Sequence, residues 1–211
     1  MVSTVNVLVD RGADVEARDA ENRTPLYVAA RDGFEAVARL LVKRWANTEA
    51  RSNGGWTPLH AAAWCGHEAV VTLLIDNDSD KDARSDEGRT PLYLAARSGH
   101  EKVMRLLLGR GADRSVVVRG GWTPLHAAAS FGYESASRLL LEYGADKEAR
   151  SQNGQTPLFT AACNGRDAVV KLLLEQRANK KAEDNSGLTP KQIAKEKGHQ
   201  TVVRVLRSFG A

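Results

Sequence analysis

Residues 57–75 carry the apolar pattern of two short consecutive helices. Thr57 and Pro58 have the side chains preferred at the N-cap and at the first position of a helix. Gly66 ends this first helix, and a second one starts at about Glu68. The apolar positions at helical spacing are Leu59, Ala62 and Ala63 in the first helix, and Val70, Val71, Leu73 and Leu74 in the second. The pattern therefore predicts a helix–turn–helix unit.

The same unit recurs along the chain. A Thr-Pro pair opens each copy, and successive pairs are 33 residues apart: Thr24-Pro25, Thr57-Pro58, Thr90-Pro91, Thr123-Pro124, Thr156-Pro157 and Thr189-Pro190. A unit of this size cannot bury its own apolar face, so neighbouring copies must stack to cover it. The sequence predicts an all-α solenoid with one continuous stripe of core.

The repeat register divides this single domain into seven segments. They are a partial repeat at 1–18 that holds only a second helix and its exit turn, full repeats at 19–51, 52–84, 85–117, 118–150 and 151–183, and a C-terminal capping repeat at 184–211. In the last segment Lys191 and Lys195 replace the leucine and alanine of the other copies, as suits a face that meets water. The first segment lacks a first helix. We therefore expect that the chain is the C-terminal part of a longer array or that another surface covers this end.

The repeated unit resembles the ankyrin repeat. Residues 57–62 and 123–128 both read Thr-Pro-Leu-His-Ala-Ala, which is the signature of that family. The resemblance covers essentially the whole chain. It implies L-shaped repeats joined by short β-hairpin-like turns, with the turn tips and the first helices forming a concave surface that grips other proteins.

The exit of the second helix departs from its own pattern. The resemblance implies a left-handed residue there, and glycine occupies the position in four copies: Gly12, Gly111, Gly144 and Gly210. The other copies have Trp45, Asp78 and Arg177. Because residues with a Cβ atom are strained in this conformation, we expect local weak points at Trp45 and Arg177.

A longer period of 66 residues is superimposed on the first. Arg23 and Arg89 precede Thr-Pro-Leu-Tyr, whereas Trp56 and Trp122 precede Thr-Pro-Leu-His, and Gln155 follows in the fifth copy. Equivalent positions on stacked repeats lie about 10 Å apart. The sequence thus predicts a row in which cationic and aromatic side chains alternate.

The resemblance places the recognition surface at this row, at the last two residues of the first helices and at the turn tips. The candidate partner-binding residues are Arg23, Trp56, Arg89, Trp122 and Gln155 in the row; Arg31, Asp32, Trp64, Cys65, Arg97, Ser130, Phe131 and Asn164 at the helix ends; and Arg51, Arg84 and Arg150 at the tips. Tryptophan and arginine are the types most enriched at binding hot spots. Acidic residues are few in this set, so we expect its arginines to pair with acidic groups of a partner.

Catalytic and metal-binding patterns are absent from the sequence. It has no glycine-rich phosphate loop and no nucleophile elbow, so we expect neither an enzyme nor a cofactor. His60 and His126 share a repeat position with Tyr27, Tyr93 and Phe159. Since a phenyl ring cannot replace a metal ligand, these histidines are expected to be buried and hydrogen-bonded.

Composition gives no indication of a membrane span, of a dense basic face or of a disulfide. No apolar run approaches the 18 or so residues of a membrane span, and a net charge of +4 is too small to indicate a dense basic face. Cys65 and Cys163 lie three repeats apart, so we expect free thiols.

We expect a cytoplasmic protein, with the nucleus as the alternative, and a monomer unless the uncapped N-terminal helix self-associates.

Three functions fit this sequence. The first is a protein-interaction scaffold that binds a partner protein or peptide, acidic in character, in its concave groove. The second is binding of nucleic acid or another anionic ligand through the same arginines, which the mild charge makes a weaker candidate. The third is an array that only spaces or supports other parts of a larger protein.

Overall fold

The computed structural model describes residues 2–209. These residues form thirteen helices and no strand. The chain makes two compact units, one ending at Ala112 and the other beginning at Asp113. In each unit, a short first helix that begins at the proline of a Thr-Pro pair is followed by a second helix after two or three residues.

The first unit contains seven helices in two layers. They are α1 (Val2–Asp10), α2 (Pro25–Asp32), α3 (Glu35–Lys43), α4 (Pro58–Cys65), α5 (Glu68–Ile75), α6 (Pro91–Ser98) and α7 (Glu101–Gly109). The first helices pack in the order α2, α4, α6, and the second helices pack in the order α1, α3, α5, α7. Translational stacking of the repeated unit is therefore present within this unit.

The second unit repeats the arrangement with six helices. They are α8 (Pro124–Phe131), α9 (Glu134–Glu142), α10 (Pro157–Cys163), α11 (Asp167–Glu175), α12 (Pro190–Glu196) and α13 (Gln200–Ser208). Here α8, α10 and α12 pack in one layer, and α9, α11 and α13 pack in the other. The core of this unit is built around residues such as Leu158, Phe159, Val170 and Leu173.

Each first helix starts with the cap that its sequence predicts. The threonines before the six prolines have extended backbone, and each hydroxyl accepts a hydrogen bond from the backbone N–H three residues later. In three copies the residue at that position, His60, His126 or Gln192, also accepts a hydrogen bond from the threonine N–H and completes a capping box. These bonds satisfy N–H groups that a helix start otherwise leaves unpaired.

The exits of the second helices have the left-handed backbone that the resemblance implies. The φ angles are 88° at Gly12, 77° at Gly111 and 79° at Gly144, and they are 64° at Trp45, 61° at Asp78 and 60° at Arg177. Gly210 lies outside the described residues. The left-handed backbone at Trp45, Asp78 and Arg177 agrees with this expectation, the local weakness at Trp45 and Arg177 stays a prediction, and one further left-handed residue was missed. Asn22 has a φ of 61° in a turn tip where the following repeats have glycine.

The core lies between successive first helices and between the two layers. Leu26, Leu59 and Leu158 are completely buried at the position that Lys191 occupies in the last repeat. Lys191 and Lys195 are both exposed. Both lysines thus face solvent in the described residues, and the capping role of this repeat stays a prediction.

Backbone hydrogen bonds shape the turn tips and join them. The Ser52 N–H donates to the Trp56 carbonyl over 2.9 Å, and the Gly55 N–H donates to the Ser52 carbonyl over 3.0 Å, which closes a hairpin-like turn. The Asp86 N–H of the next repeat donates to the Gly54 carbonyl over 3.1 Å. This turn therefore fixes the backbone of Trp56 at the entrance of α4.

Candidate protein-binding surface

The row predicted from the 66-residue period starts in the first unit. Arg23, Trp56 and Arg89 each precede the threonine cap of a first helix, and those helices, α2, α4 and α6, pack side by side. All three side chains are partly buried. These residues thus occupy equivalent places on adjacent repeats, as predicted, but they are less exposed than an open surface position would be.

The aromatic part of this surface is a compact group, here called the tryptophan cluster, that consists of Trp56, Trp64 and Arg97. The two indoles meet edge to face with their centres 6.0 Å apart. The guanidinium carbon of Arg97 lies 5.6 Å from the centre of the Trp64 ring. Trp56 also lies 6.1 Å from the His60 ring. An aromatic contact of this kind and a cation above the ring hold both indoles in place.

The arginines of the row and Arg31 at the end of α2 have carboxylate partners within the chain. Arg23 contacts the carboxylates of Asp19 and Glu21 at 2.7 and 2.8 Å. Arg31 contacts Asp32 at 2.7 Å, and its hydrogen bonds lower the pKa of that carboxyl. Arg89 likewise pairs with Glu87. The candidate set itself contains few acids, but carboxylates of the adjacent turn tips, Asp19, Glu21 and Glu87, already pair with Arg23 and Arg89. Pairing of these arginines with acidic groups of a partner stays a prediction.

The tip arginines have intramolecular partners as well. Arg18 donates to the Arg51 carbonyl over 3.0 Å, and Arg51 donates to the Arg84 carbonyl over 2.8 Å. Arg150 donates to the Glu183 carbonyl in the same way. Each of these bonds joins one tip to the next, 33 residues further along the chain. The recurrence of arginine at this position therefore has a structural reason.

Several other predicted residues lie in the second unit. Trp122 repeats the contact of Trp56, with its ring 6.0 Å from the His126 ring. Phe131 is 43% exposed and stacks on Tyr133 with ring centres 6.2 Å apart. At the ends of α8 and α10, the Asn164 amide donates to the Ser130 hydroxyl over 3.3 Å. Gln155 supplies a backbone carbonyl that accepts a hydrogen bond from His126.

His60 and His126 are buried and hydrogen-bonded on both ring nitrogens, as predicted. The Thr57 N–H donates to Nδ1 of His60 over 3.1 Å, so Nε2 carries the proton and donates to the Arg89 carbonyl over 2.9 Å. Burial lowers the pKa of His60 to about 4, and it also lowers the pKa of His126. These rings are neutral structural links between successive repeats, since desolvation disfavours their charged form.

Another set of links was not identified from the sequence. These bonds run from a histidine before a second helix to the last turn of the first helix in the preceding repeat. Nε2 donates over 2.9 to 3.0 Å from His67 to the Arg31 carbonyl, from His100 to the Trp64 carbonyl and from His199 to the Cys163 carbonyl. Arg166 makes the equivalent bond to the Ser130 carbonyl. The signal available in the sequence was the recurrence of histidine or arginine directly before four of the second helices, α5, α7, α11 and α13.

Metal and thiol chemistry find little support on this surface. Within residues 2–209, no group of three or more histidine, cysteine, aspartate or glutamate side chains is arranged to hold a metal ion. Cys65 and Cys163 are free thiols, and both are partly buried. Burial raises the pKa of the Cys65 thiol, which makes its thiolate less available at neutral pH.

Comparison with known families agrees with the architecture. The family model described as ankyrin repeats, in three copies, matches residues 1–85, 73–151 and 143–211. The chain belongs to the ankyrin-repeat family. The prediction of an all-α ankyrin-repeat fold is confirmed. A comparison with curated proteins found no match for the chain.

Membership of the ankyrin-repeat family indicates a general role in protein binding. Ankyrin repeats are generally protein–protein interaction modules, and proteins built from them are typically non-enzymatic scaffolds. None of the helices in the described part of the chain has the length and apolar run that a membrane crossing requires.

Proposed function

We propose that these ankyrin repeats bind a partner protein or peptide through the tryptophan cluster. The observation that carries this proposal is the edge-to-face contact of two indoles, Trp56 just before α4 and Trp64 near the end of α4, with Arg97 above the Trp64 ring. Trp64 is 36% exposed, so its ring is open to a ligand.

The repeat itself supports a binding role for these rings. At the position of Trp64 the neighbouring repeats have Arg31 and Arg97, and at the position of Trp56 they have Arg23 and Arg89. Stacking of the helices therefore does not require an aromatic side chain at either place. Large aromatic residues on such positions suit contact with a partner, because they provide much apolar area with few rotatable bonds.

The geometry also lowers the entropy that binding must overcome. A cation over an exposed indole contributes about 0.5–1 kcal/mol, and the edge-to-face contact of two rings contributes about as much. Both contacts restrict the rotamers of Trp56 and Trp64 before a partner arrives. A rigid apolar contact loses less conformational freedom on association than a mobile one.

The charge pattern favours a protein over a nucleic acid. Arg23, Arg31 and Arg89 lie next to carboxylates, which would repel phosphate groups and already neutralise the guanidinium charges. We therefore expect binding to depend weakly on salt, whereas phosphate contacts would give a steep dependence. A salt titration of the complex and a gel shift with random DNA and RNA at physiological salt separate these two functions.

The central experiment uses a tryptophan outside the cluster as its control. The double variant Trp56→Ala/Trp64→Ala should lose a partner that affinity purification recovers with the unchanged chain. Trp45→Ala removes an indole that is 92% exposed at the exit of α3, and it should retain that partner. With the partner in hand, Trp64→Ala alone should weaken the dissociation constant by about fivefold or more, as expected of a hot-spot residue.

Two results would argue against this assignment. If the double variant keeps every partner while circular dichroism shows a native melting curve, the contact surface lies elsewhere. If Trp45→Ala loses the same partners as the double variant, loss of any exposed indole is sufficient and the cluster has no special role. Trp122→Ala and Phe131→Ala extend the test to the second unit.

A further inference from the structure

A groove lies in the layer of second helices of the first unit, between α3 and α5, which pack side by side. Its two parts have volumes of about 510 Å³ and about 380 Å³. Both parts are lined by Asp76 and Asn77 at the end of α5, so they form one continuous surface, here called the α3–α5 groove. The first part is lined by Glu35, Arg39, Glu68 and Thr72 among others, and the second by Trp45, Asn47 and Asp78 among others.

The charge of this groove is negative, although the chain as a whole has a net charge of +4. Its charged lining residues are Glu35, Glu68, Asp76, Asp78 and Arg39. Arg39 pairs with Glu35 at 2.7 Å, and Arg110 reaches Asp76 at 2.6 Å. Within residues 2–209, the exposed carboxylates of Glu68 and Asp78 form no ion pair. Both are therefore available to an external cation.

The negative charge arises because α5 departs from the pattern of its neighbours. In α3, α7 and α9 the glutamate at the first position pairs with an arginine four residues later. In α5 that later position is Thr72, so Glu68 lacks the partner. Asp76 directly follows α5 and takes the place of Lys43, which ends α3. Because the end of a helix has a partial negative charge, a cation is favoured there and a carboxylate is not.

Trp45 provides an aromatic surface at the end of the groove. Its indole is 92% exposed, and the next most exposed large apolar side chain in residues 2–209 is Leu8 at 54%. The other repeats have glycine, aspartate or arginine at this position, so stacking of the helices does not require an indole. The backbone of Trp45 is also left-handed, with a φ of 64°. A strained residue whose side chain lies almost wholly in solvent is an outlier that points to a function.

We propose that the α3–α5 groove binds a basic segment of another protein. One lysine or arginine of that segment lies over the Trp45 indole, since a cation is attracted to the face of this ring, and it pairs with the neighbouring Asp78. Further basic side chains pair with Glu68 and reach Asp76. Eight residues of α5 separate these two carboxylates, which is about 12 Å along the helix. An extended segment covers that distance when its basic residues are about four positions apart.

This site differs from the tryptophan cluster in place and in ligand. It belongs to second helices, whereas Trp56, Trp64 and Arg97 lie on or next to first helices. Binding in the groove should weaken steeply as salt is added, because exposed charge pairs are screened. The partner of the tryptophan cluster is bound elsewhere, so the loss of Trp45 leaves it bound. Either proposal can therefore fail while the other holds.

Fluorescence anisotropy with a labelled peptide tests the proposal. The probe is a glycine- and serine-rich peptide of about 12 residues with an arginine at about every fourth position, and its control has glutamine in place of arginine. The full chain should bind the probe saturably at low salt and bind the control at least about tenfold more weakly. Trp45→Ala should weaken probe binding by about two- to fivefold, which is the worth of a cation over an exposed indole.

The repeat itself supplies the decisive variant. Thr72→Arg copies Arg39 of α3, so it should pair with Glu68 and occupy the groove from within. We expect it to weaken probe binding by about fivefold or more. Ala168→Arg is the matched control, because it adds the same charge at an exposed position of α11 in the second unit. It should bind the probe as tightly as the unchanged chain.

Three results of this titration would overturn the proposal. The full chain could fail to bind the probe, or bind the glutamine control equally well. Equal weakening by Thr72→Arg and Ala168→Arg would show that the probe responds only to the overall charge. Undiminished binding by Trp45→Ala would show that the indole takes no part.

The indole N–H signals in an NMR spectrum give a second readout, which also covers weak binding. The chain has four tryptophans, and the signal that disappears in Trp45→Ala identifies that ring. This signal should move as the probe is added, while those of Trp56 and Trp64 stay in place. Movement of the latter two alone would place the basic segment on the tryptophan cluster and would overturn the proposal. Dimers of the full chain that Thr72→Arg dissolves, seen by sedimentation, would identify a second copy as the occupant and would overturn it as well.

Discussion

Replacing Trp45 with glycine should stabilise the protein. Trp45 has a φ of 64° at the exit of α3, a conformation that brings the Cβ atom of an L-residue too close to its own backbone. The equivalent positions at Gly12, Gly111 and Gly144 have φ angles of 88°, 77° and 79°. The exit is therefore built for a residue without a Cβ atom.

The magnitude follows from two opposing terms. The left-handed conformation costs roughly 1–2 kcal/mol for a residue with a Cβ atom. Glycine returns about 0.5–1 kcal/mol of this through the greater freedom of its unfolded chain. The indole of Trp45 is 92% exposed, so its removal forfeits little buried area. Trp45→Gly should raise the free energy of unfolding by about 0.5–1 kcal/mol, which corresponds to about 1–4 °C in melting temperature.

Urea unfolding followed by far-ultraviolet circular dichroism measures this change, because the substitution removes a fluorophore. Trp45→Ala is the matched control. It deletes the indole but keeps the Cβ atom, so its unfolding midpoint should stay near that of the unchanged protein. Arg177→Gly, at a φ of 60° in the second unit, should give a gain similar to that of Trp45→Gly.

Two results would refute the reasoning. A lower midpoint for Trp45→Gly would mean that the indole makes stabilising contacts. A gain of equal size in Trp45→Ala would mean that the indole, and not the backbone, is the source of the instability.

Two further predictions concern the histidine links. Burial lowers the pKa of His60 to about 4, against about 6.5 in the unfolded chain. The stabilisation of the folded protein by the neutral ring is therefore complete above pH 6.5 and is lost as the pH falls toward 4. Between pH 7 and pH 5 this loss is roughly 2 kcal/mol in the free energy of unfolding. The urea midpoint of His60→Phe, which copies Phe159, should therefore drop less between these two pH values than that of the unchanged protein. An identical drop would contradict the assignment. Gly33→Ala would place a Cβ atom 2.5 Å from Nδ1 of His67 at a φ of 74°, whereas Gly12→Ala meets nothing within 4 Å at a φ of 88°. The first should therefore lower the melting temperature clearly more than the second, and equal losses would show that the His67 ring moves aside freely.

Much of the fold could be predicted from the sequence because its signals are local. The Thr-Pro starts, the glycine exits and the apolar spacing act within one turn of helix, and 33-residue periodicity fixes which units are neighbours. The same periodicity made the exposure of Lys191 predictable, since a charged residue at a position that is buried in other copies implies that this side meets water.

The candidate surface was predicted less completely. The positions of Trp56 and Trp64 were identified, but their mutual contact was not. The two residues are eight positions apart, and the sequence does not determine which rotamer each indole adopts. The ion pair of Arg23 with Asp19 and the bond of Arg51 to the Arg84 carbonyl were missed for another reason. Both depend on how a turn tip folds back, which residue type alone does not determine.

The absence of any buried residue in α1 has a dynamic consequence. Among the other described helices, α1 packs chiefly on α3, so this edge can open without disturbing the contact of α4 with α6. Local unfolding should therefore begin here, and amide hydrogens of residues 2–10 should exchange with solvent many times faster than those of α4.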